Sequence, residues 1–136
     1  MANEENRVVV HYLGGKLAKG YAFDFNQDKD MFHLSTDRTK TDMIEVSHSD
    51  IKAVFFVKTF EGNPEYRCPE MGKDDLKCLS GVKLFVEFKD GESMYACTWG
   101  YSPARKGFFI FPIDREDNNN KIYVIKSSTT SIRIIR

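Results

Sequence analysis

The stretch VVVHYLGGKLAKGYAFDF, residues 8–25, is matched in outline by LFVEFKDGESMYACTWGY at residues 84–101, and that recurrence constrains the fold more than any other feature of the chain. Both stretches alternate apolar and polar residues, break at a glycine-bearing turn and alternate again. Period-two alternation turns one face of a strand toward a core, and residues that tolerate positive φ close a tight hairpin. Aligning Gly15 with Gly91 lays Val8 over Leu84, Val10 over Val86 and Tyr12 over Phe88, all at even spacing. Past the turn, Gly20 meets Ala96 and Phe23 meets Trp99. Small gaps then bring Phe32–Leu34 onto Phe109–Phe111 and Ile44–Val46 onto Ile122–Val124. The apolar runs that start at Ile51 and Ile132 close the two halves in the same character. Each half reads as five strands. No segment sustains a 3.6-residue apolar period, so long helices are not expected.

Five short, bent strands in this order resemble an SH3-like or Sm-like barrel, in which a sheet curls on itself and hides most of its edge. Gly15, Gly20, Phe23-Asp24 and Phe32-x-Leu34 carry the Sm-like part of the resemblance. The leading helix of that pattern has no room before Arg7, and Asn26 stands too early for its base-contacting asparagine, so RNA binding is not implied. The expected fold is all-β: two tandem five-stranded barrels packed together, residues 1–57 and 81–136, joined by an ordered linker over 58–80 with one helical turn near 74–78. Val9 and Phe85, apolar and outward-facing, are expected to seal the join. The run AVFFV at 53–57, apolar on both faces, calls for cover on both. The stretches KAVFFVKTFEGNPEY (52–66) and GYSPARKGFFIFP (100–112) also resemble an uncharacterised bacterial family of small β-proteins. That resemblance implies the fold and supplies no activity.

Composition narrows the function classes. Twenty Lys+Arg balance twenty Asp+Glu, so there is no global field of the kind that draws a protein to nucleic acid. Cys68, Cys78 and Cys97 form no CxxC pair and leave an odd thiol under any pairing, which fits a reducing compartment. The opening MANEENRVVV has neither a basic region nor an apolar core, and no run approaches a membrane span. A cytoplasmic protein with no membrane partner is expected.

No catalytic or metal-binding pattern emerges. His11, His33 and His48 are not spaced as ligands, and none adjoins a cysteine. GYSPA at 100–104 lacks the second glycine of a nucleophile elbow, and Gly14-Gly15 lacks the lysine of a phosphate-cradling loop. Cyclic-dinucleotide-binding β-barrels use two arginines four apart, whereas Arg38 has Asp42 at that spacing. Neither an enzyme nor a cofactor is expected. What remains is a mixture of aromatic and cationic residues, Trp99, Tyr101, Arg105, Lys106 and Phe108, with Tyr66 and Arg67 as a second group. Such mixtures are enriched where proteins bind proteins or stack bases. The competing role is packing, with Trp99 filling a barrel and Arg105 and Lys106 capping a solvated loop. The expected function is a non-catalytic protein- or peptide-interaction module, with an Sm-like RNA or nucleotide binder as the alternative and homo-oligomerisation left open.

Overall fold

The computed structural model describes residues 6–37, 42–61, 81–102, 104–111 and 118–135. The described residues form an all-β fold. Its strands are β1 (Arg7–Tyr12), β2 (Leu17–Tyr21), β3 (Met31–Ser35), β4 (Met43–Ser47), β5 (Ile51–Val57), β6 (Val82–Phe88), β7 (Ser93–Thr98), β8 (Gly107–Ile110), β9 (Asn119–Ile125) and β10 (Thr129–Ile135). Short 3₁₀ turns, His48–Asp50 and Lys126–Ser128, lead into β5 and β10.

The two hairpins form as their alternation requires. β1 pairs β2 with Val9 opposite Lys19, and β6 pairs β7 with Phe85 opposite Tyr95. Gly15 and Gly91 hold φ of 94° and 95°, a region that side chains disfavour, and their amides donate to Tyr12 and Phe88 carbonyls at 3.0 Å.

Beyond the hairpins the expected pair of barrels does not form. The strands divide into a seven-stranded sheet, β4-β3-β2-β1-β5-β9-β8, and a three-stranded sheet, β10-β6-β7, and neither closes into a barrel. The tandem SH3-like/Sm-like reading fails because β9 of the second half pairs antiparallel with β5 of the first, with Ala53 opposite Val124 and Phe55 opposite Ile122. That pairing draws β8 and β9 into the larger sheet. β7 keeps contact with the β8 segment through the bridge between Cys97 and Phe111 and through the Thr98 hydroxyl, which donates to the Phe109 carbonyl at 2.7 Å. Strands from both halves therefore share one sheet.

Pairing of β5 with β9 also replaces the expected seal by Val9 and Phe85. Phe85 lies on the outer face of the small sheet, its ring 4.7 Å from that of Tyr95 and 4.9 Å from the Arg133 guanidinium. Val9 sits between Lys19 and Phe55 in the large sheet. β5 is covered on both faces, as its composition demands. Val54 and Phe56 join one core with Val8, Val10, Phe32, Leu34 and Val46. Ala53 and Phe55 turn to the other, built from Leu84, Val86, Phe108, Ile110, Ile122 and Val124. Each fully buried valine or leucine here contributes about 1.5–3 kcal/mol relative to exposure, an upper bound for a compact unfolded chain.

One buried cation ties the sheets together. Lys52 of β5, its side chain only 8% exposed, donates to Asp90 at 2.7 Å and to Glu92, both in the β6–β7 turn. Its ammonium lies 4.6 Å from the Phe88 ring, and the Ser128 hydroxyl donates to its carbonyl at 2.9 Å. Burial acts to lower the Lys52 pKa, but its hydrogen bonds to Asp90 and Glu92 outweigh this and raise it. The expected linker over 58–80 and its helical turn lie almost wholly outside the described residues.

Candidate functional site

A half-open cavity of about 940 Å³ lies against β9, walled by segments from both halves of the chain. One wall is the β2–β3 connection, Gln27–Asp30, with the end of β4 and its 3₁₀ turn. The other is the loop before β8, residues 104–106, with Gly107 at the start of β8 and the 3₁₀ turn that follows β9. Backbone hydrogen bonds stiffen both: His48 N–H donates to Asp30 O at 2.8 Å, and Lys126 N–H donates to Lys106 O at 2.8 Å. An Asx turn in which Asn26 Oδ1 accepts from the Asp28 amide at 2.8 Å fixes the far loop.

Tyr123 and Ile125 line the cavity from β9. Gly107 is required beneath the Tyr123 ring, because a Cβ there would come within 2.5 Å of the phenol oxygen and 2.7 Å of the Val124 carbonyl. Burial pushes the Tyr123 hydroxyl above its ordinary pKa, with Arg105 pulling it down and Asp28 pushing it up. The His48 ring packs among Phe25, Phe32 and Tyr123 at 5.7–5.9 Å. Its Nε2 is buried without a hydrogen-bond partner, and burial lowers its pKa, with Asp30 acting the other way. Four cations, Lys29, Arg105, Lys106 and Lys126, face two carboxylates, Asp28 and Asp30. Lys106 reaches Asp30 at 3.5 Å across the opening, with both side chains almost fully exposed.

The residues expected to bind a partner are distributed over different environments. Arg105 and Lys106 line the cavity, whereas Trp99, Tyr101 and Phe108 do not. Trp99 does not fill an interior: it is 56% exposed, edge-on to Phe111 at 5.0 Å. Tyr101 is half-buried against Phe108 at 5.0 Å, and Phe108 belongs to the second core. Tyr66 and Arg67 lie outside the described residues.

The remaining candidates for chemistry stand apart. The His11 ring lies tilted against Phe55 at 4.1 Å; burial and Lys52 hold its pKa below the ordinary value, against the opposing pull of Glu92 and Asp90. Cys97 is buried and disulfide-bonded, so it offers no free thiolate. Among the described residues no three His, Cys, Asp or Glu side chains come together as a metal site, and no helix is long and apolar enough to cross a membrane.

His33 has a defined partner, since its Nδ1 lies 2.7 Å from Asp24 Oδ2 and its amide donates to Asp24 Oδ1 at 2.9 Å. The hydrogen bond with Asp24 raises the His33 pKa, opposed by burial and assisted by the charges of Asp24 and Glu45. Burial acts to raise Asp24, yet the bonds from His33 hold it below 3.8. The His33 contribution to stability is thus fully present below its ordinary 6.5 and lost as pH rises through its raised folded value. Asp24 contributes above 3.8 and loses that contribution as pH falls through its depressed folded value. His33→Gln is expected to be less stable than the wild type near pH 6, with the gap closing by about pH 9. Urea melts of both proteins at the two pH values check this.

Sequence reasoning missed Lys29, Lys126, Tyr123, Asp28 and Asp30 as neighbours of Arg105 and Lys106. These residues come from separate stretches, and only the pairing of β5 with β9 assembles them. No periodicity or motif spacing reports such a contact. His48 was visible as a histidine, but its neighbours were not.

No curated protein and no solved structure matches this chain. One family model does match, over residues 4–136, and it covers every element described above. The chain therefore belongs to DUF6982, a family of unknown function.

Proposed function

We infer that this chain is a non-catalytic interaction module that binds a protein partner at the apolar end of its three-stranded sheet. The supporting observation is that Val82, Trp99 and Ile134, exposed by 42%, 56% and 47%, gather where β6 begins and where β7 and β10 finish. Scattered exposed apolar residues are ordinary, but several at one end of a small sheet form a patch of the kind used in association. Trp99 is also held in place. Its ring rests on Phe111 and over Gly81, where a Cβ would come within 3.0 Å of the indole. A fixed indole loses little side-chain entropy on binding, and tryptophan is prominent among residues that dominate interface energy. The alternative, an RNA or nucleotide binder of Sm-like type, draws no support from a chain whose twenty cations balance twenty anions.

A photo-reactive phenylalanine analogue placed at position 99, and at Lys89 in the β6–β7 turn as a control, tests the reading. A discrete protein adduct is expected at 99 and not at 89. Trp99→Ala should then weaken affinity for that partner by roughly 30-fold, the loss typical of a binding hot spot, with an unchanged melting temperature. Equal adducts at both positions, or equal affinity of the two proteins, would refute it.

A further inference from the structure

We propose that the cavity against β9 binds a small molecule bearing an oxyanion, phosphate or carboxylate, held by Arg105, Lys126 and Lys29 beside the Tyr123 ring. This goes beyond the partner surface at the far end of the small sheet and does not depend on it.

Charge is the first support. Among the described residues that line this cavity, four are cations and two are carboxylates. One carboxylate, Asp30, meets Lys106 in a 3.5 Å contact between nearly fully exposed side chains. Such a pair is weak, so an incoming anion can take Lys106 from Asp30 at little cost. A concave site with an excess of one charge sign concentrates its field on a counter-charge. Arg105 adds a planar fork suited to two oxygens of one anion.

Shape and polar chemistry point the same way. About 940 Å³ lies at the upper end of the range for small-molecule sites. The Ser47 and Ser49 hydroxyls, 3.0 Å apart, stand on the wall as additional donors. On that wall His48 Nε2 is buried with no partner. Tyr123 and Ile125, almost fully buried, form the apolar floor of the cavity.

Pyrophosphate and citrate serve as probes, each titrated at constant ionic strength by calorimetry and by amide NMR. One-to-one binding is expected, with shifts concentrated at Lys106, Gly107 and Lys126. Preference for pyrophosphate assigns a phosphate ligand, and preference for citrate a carboxylate. Arg105→Ala combined with Lys126→Ala should weaken binding by about tenfold or more, as loss of charge-assisted bonds does, while Lys89→Ala leaves it unchanged. If the double variant does not fold, Lys29→Gln provides the same comparison. The proposal fails if neither probe binds, if sodium chloride alone reproduces the shifts, or if a folded cavity variant binds as the wild type does.

Discussion

Gly20→Ala is expected to destabilise the protein severely. A Cβ at this position would come within 2.4 Å of the Ser35 carbonyl oxygen and 2.9 Å of Leu34 Cγ. Leu34 could turn aside, but the carbonyl belongs to a backbone that cannot retreat freely. Tyr21 stands opposite Ser35 where β2 meets β3, so pushing Ser35 away removes the link that turns β3 and β4 over the first core. Overpacking costs about 1–3 kcal/mol, occasionally more, and a clash with main chain belongs at the upper end. With roughly 3–5 °C lost per kcal/mol in a chain of this size, the melting temperature should fall by about 10 °C or more. Gly14→Ala is the control: nothing lies within 4 Å of its added Cβ, and a change within about 0.5 kcal/mol is expected. Similar melting curves for the two variants would show that β2 and β3 do not need their close approach.

Lys52→Glu should be at least as damaging, while Lys52→Met should be mild. In the native protein one ammonium, 8% exposed, serves both Asp90 and Glu92. Reversing its charge places three carboxylates around one partly enclosed point. The new carboxylate is itself buried without a partner, and its like charge repels Asp90 and Glu92. Methionine keeps an apolar side chain of similar length, and Asp90 and Glu92 are about half exposed, so water can take over their solvation. The charge-reversed variant should regain part of its stability as pH falls through the carboxylate range, because protonation removes the repulsion. Thermal melts at about pH 7 and pH 4 decide this. Equal losses for methionine and glutamate would assign the role of Lys52 to packing alone.

Much of the local structure was legible in the residues. Alternation located both hairpins, Gly15 and Gly91 marked their turns, and the uninterrupted run at 51–57 announced a strand covered on both faces. The partnership of strands was not legible. β5 could pair with a strand of its own half or with β9, and the sequences Ile51–Val57 and Asn119–Ile125 suit either outcome, since both are apolar enough to be interior. Local pattern specifies that a strand is covered, not by what. The candidate sites suffered accordingly: Arg105 and Lys106 were singled out in a loop, but their neighbours come from loops that only the β5–β9 ladder brings alongside. Trp99 shows the converse, because its alignment with Phe23 gave no hint that it would stand in solvent.

That ladder also sets a timetable for synthesis. Val57 pairs with Asn119, so when the first five strands leave the ribosome, one side of β5 has no neighbour until dozens more residues have been made. At ordinary translation speeds this delay lasts several seconds, during which a bare strand edge invites pairing with another nascent chain. A fragment ending at residue 57 should stay soluble only when the complementary fragment is supplied in trans.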